Sequence, residues 1–300
     1  MQVLLDELVA KYKPLTLAGR LASYIPELSN ADREALGVAV ADASGVKAQS
    51  GDTRVRFTLQ SVSKLFALAL ALLDNGPEAV FSRIGMEPTG DSFNSLMRLE
   101  TFSSLKPVNP LVNAGAIATT AMIRGDSVTE KFSRLTEFIR SLAPGCYVGF
   151  NAAVYQSESL SGDRNRAIAY FLRDIGALAG SAEDSLDLYF RQCSLEVDCF
   201  TLASLAATLA ACHGDTLLPR QFCRVVRTFM FTCGMYNASG EFAVRVGFPA
   251  KSGVSGAILG VVPGSLGLGV FGPSLDPKGN SVAGVALLAE LSERANLYLL

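Results

Sequence analysis

The sequence predicts an α+β fold in which strands from both ends of the chain form one antiparallel sheet flanked by helices, with a helical lobe inserted between them. Short β-branched apolar segments lie near the N-terminus, the long central section has helical periodicity, and Gly-rich β-branched segments follow it. Strands placed in this way can pair in one sheet whose faces the terminal helices cover. We therefore expect a single domain over residues 1–300, with a sheet-containing lobe of 1–58 and 235–300 and a helical lobe of 59–234.

The predicted elements follow from apolar spacing and turn residues, taken in chain order. Residues 1–12 have helical spacing, 36–41 and 55–57 are predicted strands, and 44–51 between them is rich in turn residues. The central section predicts helices at 60–74, 110–123, 127–142, 165–178, 183–193, 198–212 and 219–232, and a further one at 236–246.

The C-terminal section predicts a β-hairpin followed by a helix. Residues 252–262 and 266–271 are rich in glycine and β-branched residues, and a Pro-Gly turn at 263–264 separates them. Residues 281–297 have the pattern of an amphipathic helix.

Composition and charge limit the class of function. The chain has 300 residues, 49% of them hydrophobic and 18% charged, with a net charge of −2. This balance predicts a globular core and gives no basic field to attract nucleic acid or an anionic membrane. The apolar runs at 65–73 and 202–212 are shorter than the ~20 residues of a bilayer span. With acidic Asp6 and Glu7 near the N-terminus and no basic region before them, we expect a soluble, cytoplasmic protein.

Cysteine and histidine usage argues against a metal site. The six cysteines stand in apolar, helix-like context without a C-x-x-C pair, and His213 is the single histidine. We expect the cysteines to be reduced and buried, and we expect no metal and no organic cofactor. A Ser-His-Asp mechanism would have to use His213, at the end of an apolar run. The cysteines are Cys146, Cys193, Cys199, Cys212, Cys223 and Cys233.

A candidate nucleophile motif lies where a strand-like stretch meets an apolar helix. Ser61 and Lys64 are three residues apart, so they share one face of the first helical turn. A serine hydroxyl needs an adjacent base, and a lysine can be that base when burial lowers its pKa. The motif also recurs by chance, in which case Ser61 caps the helix and Lys64 is solvated.

A second motif supports the catalytic interpretation of the first. Lys251, Ser252 and Gly253 open the late hairpin and match the K-[ST]-G strand that faces S-x-x-K in serine β-lactamases and penicillin-binding proteins. The order, separation and context of the two motifs fit a β-lactamase/transpeptidase-like fold. The S-D-N or Y-x-N element of those enzymes is not evident, so the sequence predicts their framework with a different site lining.

Ordered blocks along nearly the whole chain resemble the bacterial and kidney-type glutaminase family. These blocks are specific in sequence and occur in the family's order. They are 23–28, 60–64, 87–90 with 93–94, 109–117, 156–158 with 161–165, 189–190 with 193–194, 233–236, 249–254 and 279–281. The segment 214–219 is shorter than the corresponding loop usual in that family.

The resemblance implies hydrolysis of free L-glutamine to L-glutamate and ammonia through a glutamyl ester on Ser61. Lys64 is then the base and Tyr236 transfers protons, with Tyr24 also lining the site. The family also implies a homo-oligomer, commonly a tetramer. The substrate-binding residues that the resemblance implies are Ser61, Asn113, Glu158, Asn165, Tyr189, Tyr236 and Val254.

These residue types suit the groups of glutamine. Glu158 can hold the α-ammonium, while Asn113, Asn165 and Tyr189 can donate to the α-carboxylate. The backbone N–H groups of Ser61 and Val254 can form an oxyanion hole.

Each of these residues also has a structural interpretation. Asn113 and Asn165 could cap helices, and Glu158 could be an exposed loop acid. The residues that could be core aromatics are Tyr24, Tyr189 and Tyr236.

Two other functions stay open at this level. A penicillin-recognising serine hydrolase would use the same two motifs, although the S-D-N element is missing. A non-catalytic glutamine sensor could keep the fold, although it would not need Ser61, Lys64 or Tyr236.

Overall fold

A computed structural model describes residues 1–91, 94, 106–178, 180–212 and 217–299. Its main sheet has five strands in the order β2-β1-β8-β7-β6, with every neighbouring pair antiparallel. Because β1 pairs with β8, N-terminal and C-terminal strands lie in one sheet, which confirms the predicted fold class. The strands of this sheet are β1 (Gly37–Asp42), β2 (Gly45–Gly51), β6 (Ala250–Ser252), β7 (Ala257–Val262) and β8 (Leu266–Phe271).

A second, small sheet has the order β3-β5-β4 and lies beside the start of the central helix. Its strands are β3 (Phe57–Thr58), β4 (Gly149–Phe150) and β5 (Leu195–Val197). Leu59 continues from β3 and donates its N–H to the Leu195 carbonyl at 2.7 Å. This small sheet therefore fixes the chain immediately before Ser61.

Two sequence expectations about strands are wrong. The turn-rich stretch 44–51 is mostly strand β2, because Asp42 accepts hydrogen bonds from the N–H and hydroxyl of Ser44 and closes a tight hairpin there. The expected strand 252–262 is divided into β6 and β7. A turn separates them, in which the Gly253 N–H donates to Ala257 O at 2.8 Å.

The described residues include eleven α-helices. The expected helix 60–74 begins at Ser63 and continues to Arg83 through a kink at Gly76, whose φ is +78°. The helices are α1 (Gln2–Tyr12), α2 (Ser63–Arg83), α3 (Asn113–Ala121), α4 (Val128–Leu142), α5 (Ala152–Ser161), α6 (Asp163–Asp174), α7 (Ala182–Cys193), α8 (Cys199–Ala211), α9 (Arg220–Cys233), α10 (Ser239–Arg245) and α11 (Val282–Ala295).

Helix α5 was not expected from the sequence. Its apolar residues do not form a clear helical stripe, and only Val154 and Glu158 are buried in it. Asn151 caps its start by accepting a hydrogen bond from the Val154 N–H at 3.0 Å. Polar capping and tertiary contacts therefore define this helix more than its apolar pattern does.

The main sheet is covered on both faces, as the alternation of its side chains requires. Val38 and Val40 of β1 pack in one apolar cluster with α1 and α11, whereas Ala39 and Ala41 pack with the helical lobe. Helix α8 lies so close to β8 that a Cβ on Gly267 would stand 2.0 Å from the Ala207 nitrogen. Helices from the N-terminal, central and C-terminal sections of the chain thus all pack against the main sheet.

Among the described residues, the helical segment Gln60–Arg83 is long and apolar enough by composition to cross a membrane. In its most apolar stretch of 18 residues, 56% of the residues are buried inside the fold. The segment begins at the Ser61 turn, and its buried residues pack in a large apolar cluster with residues of α3, α4 and α9. Its apolar character is accounted for by this central packing.

The expectation that all cysteines are reduced and buried is wrong for part of the set. Cys212 and Cys223 form a disulfide, since the end of α8 and the first turn of α9 bring their Cα atoms to 6.3 Å. Cys146 and Cys233 are free but only partly buried. His213, residue 93 and residues 214–216 of the short loop lie outside the described part of the chain.

Candidate active site

Ser61 lies in a short 3-10 turn, Gln60–Val62, between β3 and α2. Gln60 has φ of +46°, which is uncommon for a residue with a side chain. The turn is held by the Val62 N–H donating to Leu59 O at 3.0 Å and by the Ser63 hydroxyl donating to Gln60 O at 2.7 Å. The chain therefore bends sharply and places Ser61 at the N-terminal end of a long helix.

The K-S-G strand lies directly against this turn, as the two motifs predict. Ser255, just after the strand, donates its hydroxyl to Thr58 O at 2.7 Å. A Cβ on Gly253 would stand only 2.8 Å from Leu59 O, so the close approach of the two backbones requires glycine there.

Lys64 is buried, with 1% of its surface exposed, so the interpretation of Lys64 as a solvated helix residue is wrong. Its Nζ donates to Asn113 Oδ1 at 2.7 Å and to Leu111 O at 3.1 Å. Burial lowers the pKa of Lys64 to about 8, against the raising effects of nearby Cys193 and Glu158. Lys64 thus has the lowered pKa that a catalytic amine base needs.

Asn113 and Asn165 are joined side chain to side chain. Asn113 Nδ2 donates to Asn165 Oδ1 at 2.9 Å, while Asn113 Oδ1 faces Lys64. The two residues start α3 and lie in the first turn of α6, so they come from different helices. Their hydrogen-bonded amides connect Lys64 to the first turn of α6.

Glu158 lies on α5 and is 5% exposed, so the interpretation of an exposed loop acid is wrong. Gln60 Nε2 donates to Glu158 Oε2 at 3.3 Å, which connects the acid to the residue before Ser61. Burial raises the pKa of Glu158 to about 8, although the Gln60 hydrogen bond and the charge of Lys64 oppose the shift. Among the ion pairs of the described residues, none includes Glu158.

Tyr236 is buried next to Ser61, and Tyr189 is buried next to Lys64. Tyr236 has φ of +55°, and its hydroxyl is hydrogen-bonded to Ser61, which partly opposes the rise in its pKa that burial causes. The Tyr189 ring centroid lies 5.9 Å from Lys64 Nζ, and its hydroxyl contacts the Cys193 thiol. Both phenols therefore stay protonated and can donate hydrogen bonds.

A cavity of about 710 Å³ opens beside this group. Its lining includes Tyr24, which is 53% exposed, and the buried Val254. Gly279, also in the lining, lies against Tyr236, because a Cβ there would stand 3.4 Å from the phenol ring. Tyr24 and Val254 thus lie in the wall of this cavity, and Gly279 in the same wall is next to Tyr236.

The structure brings all nine residues expected from the sequence into one region. Sequence reasoning did not assign site roles to three further buried residues that lie here: Gln60, Cys193 and Lys251. Lys251 belongs to the K-S-G motif, which indicates the fold and predicts no role in the site for this lysine. Within the described ranges, no group of three His, Cys, Asp or Glu side chains is placed to hold a metal ion.

A Ser-x-x-Lys turn facing a K-S-G strand, in this α+β fold, defines the serine β-lactamase-like class of proteins. The chain belongs to the glutaminase family, whose family model matches residues 19–299. The glutaminase of Clostridioides difficile (strain 630) is 50% identical over an alignment of 301 positions, which covers 99% of this chain and 97% of that protein.

Solved glutaminase structures share the fold. A Bacillus glutaminase in the presence of 4.3 M NaCl has a TM-score of 0.91 and 34% identity, covering 99% of this chain and 98% of that chain. The covalent complex between Bacillus subtilis glutaminase YbgJ and 5-oxo-L-norleucine, formed by reaction with 6-diazo-5-oxo-L-norleucine, has a TM-score of 0.90 and 33% identity. It covers 99% of this chain and 98% of that chain.

Proposed function

We propose that this chain hydrolyses L-glutamine to L-glutamate and ammonia through a covalent glutamyl ester on Ser61. The family assignment supports glutamine as the substrate, and the covalent complex described for YbgJ supports a nucleophilic residue in the fold. The observation that carries the proposal is Glu158, a buried acid joined to the Ser61 turn through Gln60 and without a basic ion-pair partner among the described residues. Such a group is suited to a substrate that brings its own cation.

In this proposal the α-amino acid end of glutamine binds to the side of the site that holds Glu158. The Glu158 carboxylate accepts the α-ammonium, and binding this cation lowers the raised pKa of Glu158. Asn113, Asn165 and Tyr189 donate to the α-carboxylate. The side-chain amide then points toward Ser61, so the enzyme recognises both ends of one small molecule.

The proposed chemistry is acyl transfer in two steps. Neutral Lys64 receives the Ser61 proton, with the Tyr236 hydroxyl as a relay, and Ser61 Oγ bonds to the amide carbon. The N–H groups of Ser61 and Val254 stabilise the oxyanion. The C–N bond breaks as the nitrogen takes up the proton and leaves as ammonia. Water then attacks the ester and gives one proton to Lys64, the C–O bond to Ser61 breaks as that proton passes to Ser61 Oγ, and glutamate is released.

Ammonia release from glutamine tests this function. The wild-type protein should release ammonia and glutamate in equal amounts, whereas Ser61→Ala should bind glutamine in calorimetry without turnover. If the wild-type protein binds glutamine and releases no ammonia, it is a sensor. If it forms a stoichiometric penicillin adduct and leaves glutamine intact, it is a penicillin-recognising hydrolase.

We further propose that residues 1–300 act as one domain, in the cytoplasm, as a homotetramer. Helix α8 belongs to the segment between the two sheet-forming ends of the chain. Its packing against the main sheet supports one shared core. The cytoplasmic location rests on the sequence expectation alone, and the Cys212–Cys223 disulfide argues against it because disulfides are rare in the cytoplasm. The tetramer rests on the family resemblance. Light scattering should then give a mass four times the 31.7 kDa of the chain; a monomer would contradict the assembly.

A further inference from the structure

We propose that Lys251 is a positioning residue that holds Tyr236 in its orientation toward Ser61. This inference rests on the proposed function, in which Tyr236 transfers protons. The side chain is completely buried, and its Nζ donates to Gly234 O at 3.0 Å and to Ser252 O at 2.6 Å. It therefore joins strand β6 to the end of helix α9, two residues before Tyr236.

The Gly234 carbonyl is the anchor of the turn that carries Tyr236. It accepts hydrogen bonds from two successive residues of β6, the Lys251 amine and the Ser252 N–H, the latter at 3.1 Å. A Cβ on Gly234 would stand 1.8 Å from Ala250 O, so the turn and the strand are in direct backbone contact. Without the lysine amine, the Gly234 carbonyl would lose one of these two hydrogen bonds, and the turn that carries Tyr236 could shift.

The same amine also contacts the phenol ring. Lys251 Nζ lies 4.4 Å from the ring centroid of Tyr236. Val254 packs in the same small apolar cluster as this ring, and Gly279 lies against it. With the hydroxyl bonded to Ser61, the ring is confined between the amine, the apolar neighbours and the nucleophile.

A purely structural role does not account for an amine at this position. Burial lowers the pKa of Lys251 well below its usual value, the charge of Lys64 lowers it further, and Cys233 partly opposes these shifts. Burying an ionisable group costs stability that a methionine of similar length would not lose. An amine can donate to both carbonyls whether it is charged or neutral, so it can hold the turn in either state.

The groups facing Tyr236 from other elements include Ser61, Cys193 and Tyr24, and Lys64 lies near Lys251. Ser61 and Lys64 are part of the proposed chemistry, whereas Cys193 and Tyr24 stay neutral and protonated because burial raises the pKa of the thiol and of the phenol. Removing the Lys251 amine therefore disturbs a contact to Tyr236 without touching the proposed nucleophile or base.

A double-mutant cycle tests the inference with purified full-length protein. Lys251→Met should lower kcat about 100-fold, the loss expected for a misplacement of about 1 Å, and leave KM within about twofold. In a Tyr236→Phe background, Lys251→Met should have no further effect on kcat, because the hydroxyl it positions is already absent. If the losses in kcat multiply instead, Lys251 does not act through Tyr236 and the inference is overturned.

Two further variants control for folding. Thr208→Val removes a partly buried hydroxyl that donates to Leu142 O and Ser204 O near the end of α8, and it should keep wild-type kcat. Lys251→Gln keeps one donor group and should have a kcat between wild type and Lys251→Met. If neither Lys251 variant folds while Thr208→Val does, the lysine is structural and the inference fails. Absence of turnover in the wild-type protein would instead refute the proposed function.

Discussion

Replacing Glu158 by glutamine removes a charge from the site with almost no change in shape. The carboxylate is 5% exposed and is held by Gln60 Nε2 at 3.3 Å. In the proposed complex it accepts a charge-assisted hydrogen bond from the α-ammonium of the substrate. A neutral amide at this position can accept only an ordinary hydrogen bond, so Glu158→Gln should weaken substrate binding more than the chemical step.

The magnitude follows from the contact and from the titration of the acid. A hydrogen bond to a charged group contributes about 1.5–3 kcal/mol, which corresponds to a rise in KM of about 10- to 150-fold at 1.4 kcal/mol per tenfold. Because burial raises the pKa of Glu158 to about 8, only about a tenth of the wild-type acid is ionised at about pH 7. The effect of the substitution should therefore be about fivefold larger at about pH 8, where half of the acid is ionised and the substrate amine is still mostly protonated, than at about pH 7.

Steady-state ammonia release with two substrates measures this prediction. Glutamine should show the rise in KM, whereas glutaramic acid, which lacks the α-amine, should bind the wild type and Glu158→Gln equally. Glu290→Gln is the matched control, because that carboxylate pairs with Lys11 on the protein surface. An unchanged KM for glutamine in Glu158→Gln, or an equal rise in KM for glutaramic acid, would refute the ammonium-binding role.

Three further predictions concern the base, the turn and the disulfide. In wild type, kcat/KM should rise with pH through the pKa of about 8 that Lys64 and Glu158 share, since the neutral amine accepts the proton and the ionised acid binds the substrate. In Glu158→Gln the rise should remain, because Lys64 still titrates; a profile flat from about pH 6 to about pH 9 in this variant would contradict the role of Lys64 as the base. Gly253→Ala should lower kcat because its Cβ would displace the turn that carries Ser61. The control Gly240→Ala should keep kcat, because its Cβ meets nothing within 4 Å. Equal kcat values for the two variants would contradict the close contact at Gly253. Dithiothreitol should cleave the Cys212–Cys223 disulfide and lower the free energy of unfolding by about 3 kcal/mol without changing kcat. An unchanged melting temperature would contradict the contribution of the disulfide to stability.

The parts of the fold and site that the sequence predicts are those with a local signal. Ser61 and Lys64 stand at a strand–helix junction, and Lys251 to Gly253 open a hairpin, so each motif identifies its own element. Their order and separation were sufficient to predict that the strand lies against the turn. The antiparallel sheet built from both termini follows from the same kind of reasoning.

The features that the sequence did not predict depend on contacts between distant segments. Helix α5 has a weak apolar pattern, so the burial of Glu158 and its bond to Gln60 arise only after the lobes pack. The position of Lys251 depends on where α9 ends against β6. The disulfide depends on the approach of α8 and α9, which no spacing of cysteines in the sequence reveals.

The central claim is that Ser61 is the nucleophile, and chemical labelling tests it most directly. The protein is incubated with 6-diazo-5-oxo-L-norleucine, and the modified residue is located by peptide mass spectrometry. We predict one adduct per chain, on the peptide that contains Ser61, with loss of ammonia release in proportion to labelling and no adduct in Ser61→Ala. Labelling of another residue such as Cys193, or turnover of glutamine by Ser61→Ala, would contradict the account.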